Sequence, residues 1–316
     1  MPEEQLPEEF LERAREVLGE PHFTEMMAAF VAPRPVWARV NTLVARVEDV
    51  RRDLMTLKPG EGPWPEALRF AAEDRSAVLR HPLYDAGALY LQSLSSQAAA
   101  FALDPQPGDE IVDLCAAPGS KTSHLAALMG EGILVANEVS KGRSHKLRAV
   151  LAQLRVSGRE QLDVRVRTGD GVRFRGHREC FDRVLVDAPC SGEGRFHVSD
   201  PRSWEGWTLR KVKGTASKQK ALLHAAIDAT KPGGVIVYAT CTMAPEENEG
   251  VLARALKRYG DVVNLEKLPV PLPTALPALR EWKGRDLPAE IAGFARRIPP
   301  GPEWDGFFLA RLRKTG

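Results

Sequence analysis

The sequence has few cysteines and histidines and no long apolar run. Its four cysteines form no Cys-x-x-Cys pair, and its seven histidines show no spacing typical of a zinc site. No apolar stretch approaches the ~20 residues that span a bilayer. The N-terminus, MPEEQLPEEF, is acidic where a signal peptide would be basic and then apolar. We therefore expect a cytoplasmic, monomeric protein without a disulfide framework, a metal site or a membrane partner.

Charge is nearly balanced overall, with a formal net charge of +2, but it is unevenly distributed. Residues 1–25 carry eight glutamates against two arginines, which is typical of a solvated acidic helix. Residues 195–220 carry seven lysines and arginines against two acids, and Phe196, Trp204 and Trp207 lie among them. Cations beside flat rings suit a phosphate backbone with unstacked bases. The alternative is a solvated loop anchored by packed tryptophans.

The hydrophobic pattern divides the chain into two parts. Residues 7–18 place apolar side chains on one helical face, and Gly19 stands where that helix would stop. A helix over 23–31, a strand over 36–41 and a further helix predict a small α/β domain over 1–85. Apolar strands then alternate with helices over 86–316, which predicts a parallel sheet covered on both faces. The predicted strands are 110–115, 133–138, 164–169, 181–187, 234–241 and 306–313. The proline-rich stretch 269–300 is predicted to be a surface excursion.

Three strand ends predict a binding site, because ligands of open parallel sheets lie beyond the carboxyl ends of the strands. The segment DLCAAPGSKT, 113–122, follows the first strand, and its small residues let the backbone approach a ligand. Glu138 follows the second strand, where it would accept hydrogen bonds from ribose hydroxyls. Asp170 follows the third strand, where it would hold an adenine or its amine.

The first of these loops distinguishes between nucleotide ligands. It lacks the first two glycines of a dinucleotide-binding turn, and Ser120 separates Gly119 from Lys121 where a Walker loop needs adjacent glycine and lysine. This favours S-adenosylmethionine, an adenosine with a sulfonium tail, over NAD; an ordinary tight turn is the other alternative. Lys121 would pair with the tail carboxylate, face the substrate or only carry surface charge. The predicted cofactor-binding residues are Cys115, Ala116, Ala117, Pro118, Gly119, Ser120, Lys121, Glu138, Asp170 and Asp187.

Two cysteines follow the next two strands. The fourth strand leads into Asp187-Ala-Pro-Cys190, and the fifth into Thr240-Cys241-Thr242. If these strands are neighbours, about 4.8 Å apart, both thiols open into one cleft beside the cofactor. Each cysteine alone is as well explained as a small buried side chain. The glutamates of PEENE, 245–249, stand at a predicted helix start and are interpreted as structural.

In order along the chain, these motifs resemble those of a known family. The segments RVNTL, DLCAAPGSKT, NEVSKGR, GDG, DAPCSGEG, YATCTMAPEENEGV and DGFFLARLRK are similar to the signatures of the Nop2/Sun RNA (cytosine-5) methyltransferases. The nearest branch is that of the bacterial RsmF-like ribosomal RNA enzymes. That branch carries a further C-terminal RNA-binding domain, whereas this sequence ends at the last predicted strand. The resemblance implies a mostly parallel, doubly wound, seven-stranded Rossmann-like sheet, S-adenosylmethionine as cosubstrate and RNA as partner.

The chemistry of cytosine explains why such an enzyme needs cysteine. C5 is a poor nucleophile, so a thiolate must first add to C6. Asp187 would stabilise the charge that develops on the ring. The resemblance implies that Cys241 attacks and Cys190 assists release, while the residues alone leave the reverse assignment open. The remaining alternatives are a tRNA cytosine-5 methyltransferase, a non-catalytic ribosome assembly factor on this scaffold, and a dinucleotide oxidoreductase.

Overall fold

The computed structural model describes residues 5–316; residues 1–4, where the acidic segment begins, lie outside the described residues. The helices are α1 (Glu8–Val31), α2 (Val47–Asp53), α3 (Arg75–Leu79), α4 (Pro82–Asp85), α5 (Leu94–Leu103), α6 (Ser120–Met129), α7 (Lys141–Gln153), α8 (Leu209–Ala229), α9 (Glu249–Tyr259) and α10 (Ala289–Phe294). The strands are β1 (Val36–Val40), β2 (Gly60–Glu61), β3 (Ala67–Phe70), β4 (Leu89–Leu91), β5 (Glu110–Asp113), β6 (Gly132–Glu138), β7 (Leu162–Thr168), β8 (Phe181–Asp187), β9 (Thr230–Thr240), β10 (Val263–Glu266), β11 (Leu276–Pro277), β12 (Glu281–Trp282), β13 (Arg285–Asp286), β14 (Arg296–Ile298) and β15 (Phe307–Lys314). Within residues 5–316, no helix combines the length and hydropathy needed to cross a membrane.

A small antiparallel sheet forms the N-terminal part, in the order β2-β3-β1-β4. Its central strand β1 is buried along its whole length, and Val50 and Leu54 from the region of α2 join its core. The edge strand β4 lies beyond residue 85, so this sheet draws on chain from both sides of the predicted domain boundary. The division at 85 and 86 stays a prediction.

The first helix packs on the segment that was predicted to bind bases. At Gly19 the helix is interrupted (φ 72°, ψ 161°), as the stop signal predicted, and it then resumes. The ring of Phe10 lies 4.9 Å from that of Phe196 and 5.8 Å from that of Trp207, centroid to centroid. Phe196 and Trp207 are buried and Trp204 is half-buried. Of the two interpretations of this segment, base stacking is wrong for Phe196 and Trp207, because their faces belong to a core. The alternative, a loop anchored by packed tryptophan, is right for Trp207, and Phe196 anchors the same basic loop within 195–220.

The large sheet runs β11-β14-β15-β9-β8-β5-β6-β7, with β10 also on β15. The five strands from β7 to β9 are parallel, and β15 is antiparallel to β9. The short strands β10 and β14 pair with opposite halves of β15, so together they fill the seventh position. Counted singly over residues 5–316, the sheet has nine strands rather than the predicted seven. The extra strands lie largely in 269–300, which is part of the sheet edge and hairpins rather than a surface excursion.

Alternation along the strands gives the sheet two cores. Val235 and Val237 of β9 face a layer that includes α5, α6 and α7, whereas Ile236 and Tyr238 face a layer with α8 and α9. Helices on both faces of a mainly parallel sheet confirm the doubly wound, Rossmann-like α/β class. Helix α8 begins at 209, where the Thr208 hydroxyl accepts the N–H of Lys211 at 3.1 Å and caps the helix.

Candidate active site

A cavity of about 930 Å³ opens at the carboxyl ends of the parallel strands. Ten of the residues predicted for the site line it: Cys115, Ala117, Pro118, Ser120, Lys121, Glu138, Asp170, Asp187, Cys190 and Cys241. Ala116 and Gly119 contact neighbouring elements instead. The N–H of Ala116 donates to the carbonyl of Asn137 at 2.8 Å, and Gly119 packs on α7.

The first loop is fixed by Asp113 and by a glycine. Asp113 is buried at the end of β5 and accepts hydrogen bonds from the Thr122 hydroxyl at 2.7 Å and the Cys115 N–H at 3.3 Å. Burial raises the pKa of Asp113 to about 7. Gly119 has a φ of 115°, and a Cβ there would meet Leu147 of α7 at 3.1 Å. Glycine therefore permits the close approach of this loop to α7.

Two further carboxylates border the cavity. Glu138 is buried, accepts the N–H of Ser140 at 2.9 Å, and lies 3.3 Å from the guanidinium of Arg143. The same guanidinium donates to the carbonyl of Ala117 at 2.6 Å, so Arg143 connects the loop after β5 to the end of β6. Asp170 accepts the N–H of Val172 at 3.0 Å. These contacts orient both acceptors.

The two cysteines meet at this edge of the sheet. Strands β8 and β9 are parallel neighbours, with Asp187 opposite Ala239. The sulfur atoms of Cys190 and Cys241 are 3.0 Å apart, and both cysteines are free. The backbone N–H of Cys241 donates to the sulfur of Cys190 at 3.3 Å. The prediction that two separate strand ends bring both thiols into one cleft is confirmed.

The two thiols differ in acidity. The hydrogen bond from Cys190 lowers the pKa of the Cys241 thiol; burial opposes this effect, and the charges of Arg195 and Lys121 support it. The same hydrogen bond and burial raise the pKa of Cys190 well above its usual value. These shifts favour the thiolate at Cys241, beside a Cys190 thiol that stays neutral to a higher pH. The sequence alone could not rank the two.

Lys121 belongs to the cavity wall. Its ammonium lies 2.7 Å from the carboxylate of Asp187 and 5.6 Å from the ring centroid of Phe307. The side chain is only 10% exposed. This excludes the interpretation that Lys121 only carries surface charge, and it places a cation and an acid together beside the thiols.

Glu193 connects the two cysteine loops. Its buried carboxylate accepts the Thr242 hydroxyl at 2.9 Å, the Met243 N–H at 3.1 Å and the indole N–H of Trp207 at 2.8 Å. Burial raises the pKa of Glu193, an effect that these three donors oppose. A side chain from the Cys190 loop thus holds the backbone that follows Cys241.

Glu247 makes the reciprocal connection. It follows the Cys241 loop and accepts hydrogen bonds from the Ser191 N–H and the Gln219 amide, both at 3.0 Å. Burial raises the pKa of Glu247 to about 7. Glu247 therefore has the structural role that the sequence indicated for the PEENE glutamates. The sequence did not show that this role is to hold the loop that carries Cys190.

A third loop joins the site through a glycine contact. The N–H of Gly194 donates to the carbonyl of Cys241 at 3.0 Å, and the Gly194 carbonyl accepts the N–H of Gly306 at 2.8 Å. A Cβ on Gly194 would lie 2.0 Å from the carbonyl oxygen of Gly306. Only glycine fits between these backbones, so the start of the DGFF motif is held against the cysteine loops.

Several cavity residues were not predicted from the sequence. They come from β4, the loop after it, the starts of α5 and α7, the basic loop, α8 and the DGFF motif. They include Tyr90, Gln92, Ser96, Arg143, Arg195, Lys218, Asp305 and Phe307. The motifs NEVSKGR and DGFFLARLRK contain three of them, and Arg195 and Lys218 lie in the basic segment 195–220; these were the available signals.

Arg195 gives the first testable prediction. Arg195→Gln removes a positive charge that favours the Cys241 thiolate, so this thiol should ionise at a higher pH. Below the pKa the thiol is protonated and unreactive, and we expect its alkylation by iodoacetamide at pH 7 to slow about threefold. Mass spectrometry of the Cys241 peptide would measure the rate. Arg202→Gln, an exposed change in the same loop, is the control; equal rates in both variants would contradict the prediction.

Fold and site together define a Rossmann-like methyltransferase. A solved structure described as a methyltransferase homolog protein from Pyrococcus horikoshii superposes with a TM-score of 0.80 at 33% identity, over 98% of this chain and 95% of that one. NSun6 from Pyrococcus horikoshii superposes with a TM-score of 0.82 over 99% of this chain and 100% of that one. Its identity of 23% supports the fold alone.

Sequence comparison then defines the family. A sequence model of the 16S rRNA methyltransferase RsmB/F family matches residues 100–313. The tRNA (cytosine(49)-C(5))-methyltransferase of Pyrococcus abyssi is 34% identical over 92% of this chain and 91% of its own length. Ribosomal RNA small subunit methyltransferase F of Vibrio cholerae is 35% identical over 98% of this chain, which spans 64% of that relative. The chain belongs to the RsmB/F family of RNA cytosine-5 methyltransferases, which confirms the Nop2/Sun resemblance.

Proposed function

We propose that this protein transfers a methyl group from S-adenosylmethionine to C5 of a cytosine in RNA, through a covalent bond between Cys241 and C6. The observation that carries the proposal is the pair of sulfur atoms 3.0 Å apart at the edge of a nucleotide-sized cavity. Ribosomal RNA of the small subunit is the first candidate substrate, because the matching family is described as 16S rRNA methyltransferases.

The residues present fit the cosubstrate. Glu138 would accept hydrogen bonds from the ribose hydroxyls and Asp170 from the adenine amine, and both already line the cavity in fixed orientations. The small residues from Cys115 to Pro118 leave the backbone open to a close approach. Bound there, S-adenosylmethionine would supply the methyl group. Among residues 5–316 no cluster of His, Cys, Asp or Glu is arranged to hold a metal ion.

The cysteine pair supplies the covalent steps. The Cys241 thiolate adds to C6, the new C–S bond takes the sulfur electron pair, and the ring electrons shift so that C5 becomes nucleophilic. Asp187 and Lys121, paired at 2.7 Å, border the same cavity and would balance charge and hold a proton at N3 of the ring. After transfer, solvent takes the proton from C5, the C5–H electron pair re-forms the C5–C6 double bond, and the C–S bond breaks so that its electron pair returns to the sulfur of Cys241. The Cys190 thiol, 3.0 Å away, would donate a hydrogen bond to the sulfur of Cys241 and so stabilise the thiolate as it leaves.

Glu138 provides the test of cosubstrate binding. Glu138→Gln keeps the shape but removes the charge that strengthens hydrogen bonds from ribose hydroxyls, and we expect S-adenosylmethionine affinity to fall about tenfold. Isothermal titration calorimetry would measure the dissociation constant. Glu290→Gln, an exposed change on α10, is the matched control. A Glu138→Gln protein that stays folded and binds as the control does would contradict this role.

Transfer RNA is the second candidate substrate. The Pyrococcus abyssi tRNA enzyme matches this chain over 91% of its length, whereas the chain spans only 64% of the Vibrio cholerae ribosomal RNA enzyme. Bisulfite sequencing of RNA from cells with and without the gene distinguishes the two. Loss of a 5-methylcytosine in small-subunit ribosomal RNA supports the first substrate, and loss in tRNA supports the second. An unchanged methylation pattern would favour the non-catalytic assembly factor.

A further inference from the structure

A second cleft lies beside the active site, between α8, α9 and the β12–β13 hairpin. Its volume is about 400 Å³. Four cationic side chains line it, two from α8, one from α9 and one from the hairpin: Lys213, Lys220, Arg254 and Arg285. Trp282 forms part of its wall.

The charge of this cleft is not neutralised by nearby acids. Within residues 5–316, none of the four cations has a carboxylate within 4.0 Å. The acid that lines the cleft, Glu246, lies 2.6 Å from the guanidinium of Arg13 and accepts the indole N–H of Trp282 at 3.4 Å. Arg13 and Lys283 also lie 5.4 and 5.5 Å from the Trp282 ring centroid. The wall is therefore held in place by cations, and the cleft keeps a net positive charge.

Helix α8 connects this cleft to the active site. Ser217 lines both spaces, while Lys218 and Leu222 of the same helix line the catalytic cavity. Lys213, Ser217 and Lys220 are spaced i, i+4 and i+7, so they share one helical face, and that face spans about 10 Å. A strand leaving the catalytic cavity across α8 would enter the cleft directly.

We infer that this cleft binds the phosphate backbone of the RNA strand that flanks the target cytosine. This rests on the proposed function, because the catalytic cavity supplies the end from which the strand emerges. Unpaired lysines and arginines along a groove are the usual way to hold a single strand without reading its sequence. Such contacts would also help to offset the cost of exposing the target base. Because Ser217 of α8 lines both this cleft and the proposed catalytic cavity, RNA is favoured over an acidic protein as the occupant.

The test compares two variants with the same charge change. Lys213→Gln with Arg254→Gln removes two exposed cations from the cleft; Lys146→Gln with Arg155→Gln removes two from α7 and the turn after it, on the opposite face of the sheet. The probe is a fluorescein-labelled, twelve-nucleotide oligocytidine RNA, and anisotropy is measured over a range of NaCl concentrations. We expect the cleft variant to bind about tenfold more weakly, with the slope of log K against log salt reduced by about 1.4. The control should match the unmodified protein.

The outcomes separate this inference from the proposed function. If the cleft variant keeps the affinity and salt slope of the control, or if the unmodified protein does not bind the oligonucleotide, the inference is wrong. Displacement of the RNA by poly-glutamate of equal charge with equal strength would also overturn it and assign the cleft to an acidic protein. If S-adenosylmethionine neither binds nor donates a methyl group while the cleft variant still loses RNA affinity, the proposed function is wrong and the inference that the cleft binds RNA is retained.

Discussion

Cys190→Ala is expected to leave the protein covalently attached to its RNA. The variant keeps Cys241, the proposed nucleophile, but loses the neighbouring thiol 3.0 Å from its sulfur, so addition and methyl transfer should still proceed while release, which that thiol would assist, slows. With S-adenosylmethionine and substrate RNA, an adduct should accumulate that survives a denaturing gel. Cys241→Ala should form no adduct, and its turnover should fall by at least about 10³-fold, the scale on which loss of a nucleophile acts.

The control for this pair is Cys180→Ala. The thiol of Cys180 donates to the carbonyl of Arg178 at 3.3 Å, near the opposite end of β8, and its removal should leave turnover unchanged. Mass spectrometry of digested adduct would map the bond to the Cys241 peptide. An adduct on Cys190 in the Cys241→Ala protein would reverse the roles, as the sequence alone allowed. If both variants turn over and release RNA, the two-cysteine mechanism is wrong.

The cysteine pair shows how far the sequence can predict a site. Both strands have clear apolar patterns, and their ends carry Asp187-Ala-Pro-Cys190 and Thr240-Cys241-Thr242, so topology alone brought the thiols together. Their unequal acidity was not predictable, because it depends on which sulfur donates and on the placement of Arg195, a side chain in an irregular loop. The apolar pattern locates the ends of the strands, but it does not determine which side chain there is protonated.

The errors have a common physical cause. For Phe196 and Trp207 the sequence left base stacking and packing both open, because composition does not show which distant segment covers a ring. The structure shows that α1 covers these two rings. Strands β11 and β14 have only two and three residues, too few for a period of two to emerge from a proline-rich segment. Both features depend on tertiary packing between segments far apart in the chain.

Arg297 and Glu249 connect that proline-rich segment to the active site. Both side chains are buried, and they form a two-pronged ion pair. Arg297 also donates to the carbonyl of Met243 at 2.7 Å, and Glu249 accepts the N–H of Leu279 at 3.0 Å. The pair therefore fixes the chain two residues after Cys241 against β14.

Glu249→Ala is accordingly expected to lower the free energy of unfolding by about 3–5 kcal/mol, since it leaves a buried guanidinium without its partner. Urea denaturation would measure this, and Asp163→Ala, which breaks the exposed pair with Arg165, should cost about 1 kcal/mol or less. Adding Arg297→Met to Glu249→Ala removes the stranded charge, so most of the lost stability should return. If Glu249→Ala lowers the free energy of unfolding only as much as Asp163→Ala does, the buried ion pair does not stabilise the fold as expected. The same double change can also be made in the Cys190→Ala protein, where the yield of RNA adduct is measured. If stability returns but the adduct yield stays low, the ion pair positions the Cys241 loop as well as stabilising the fold.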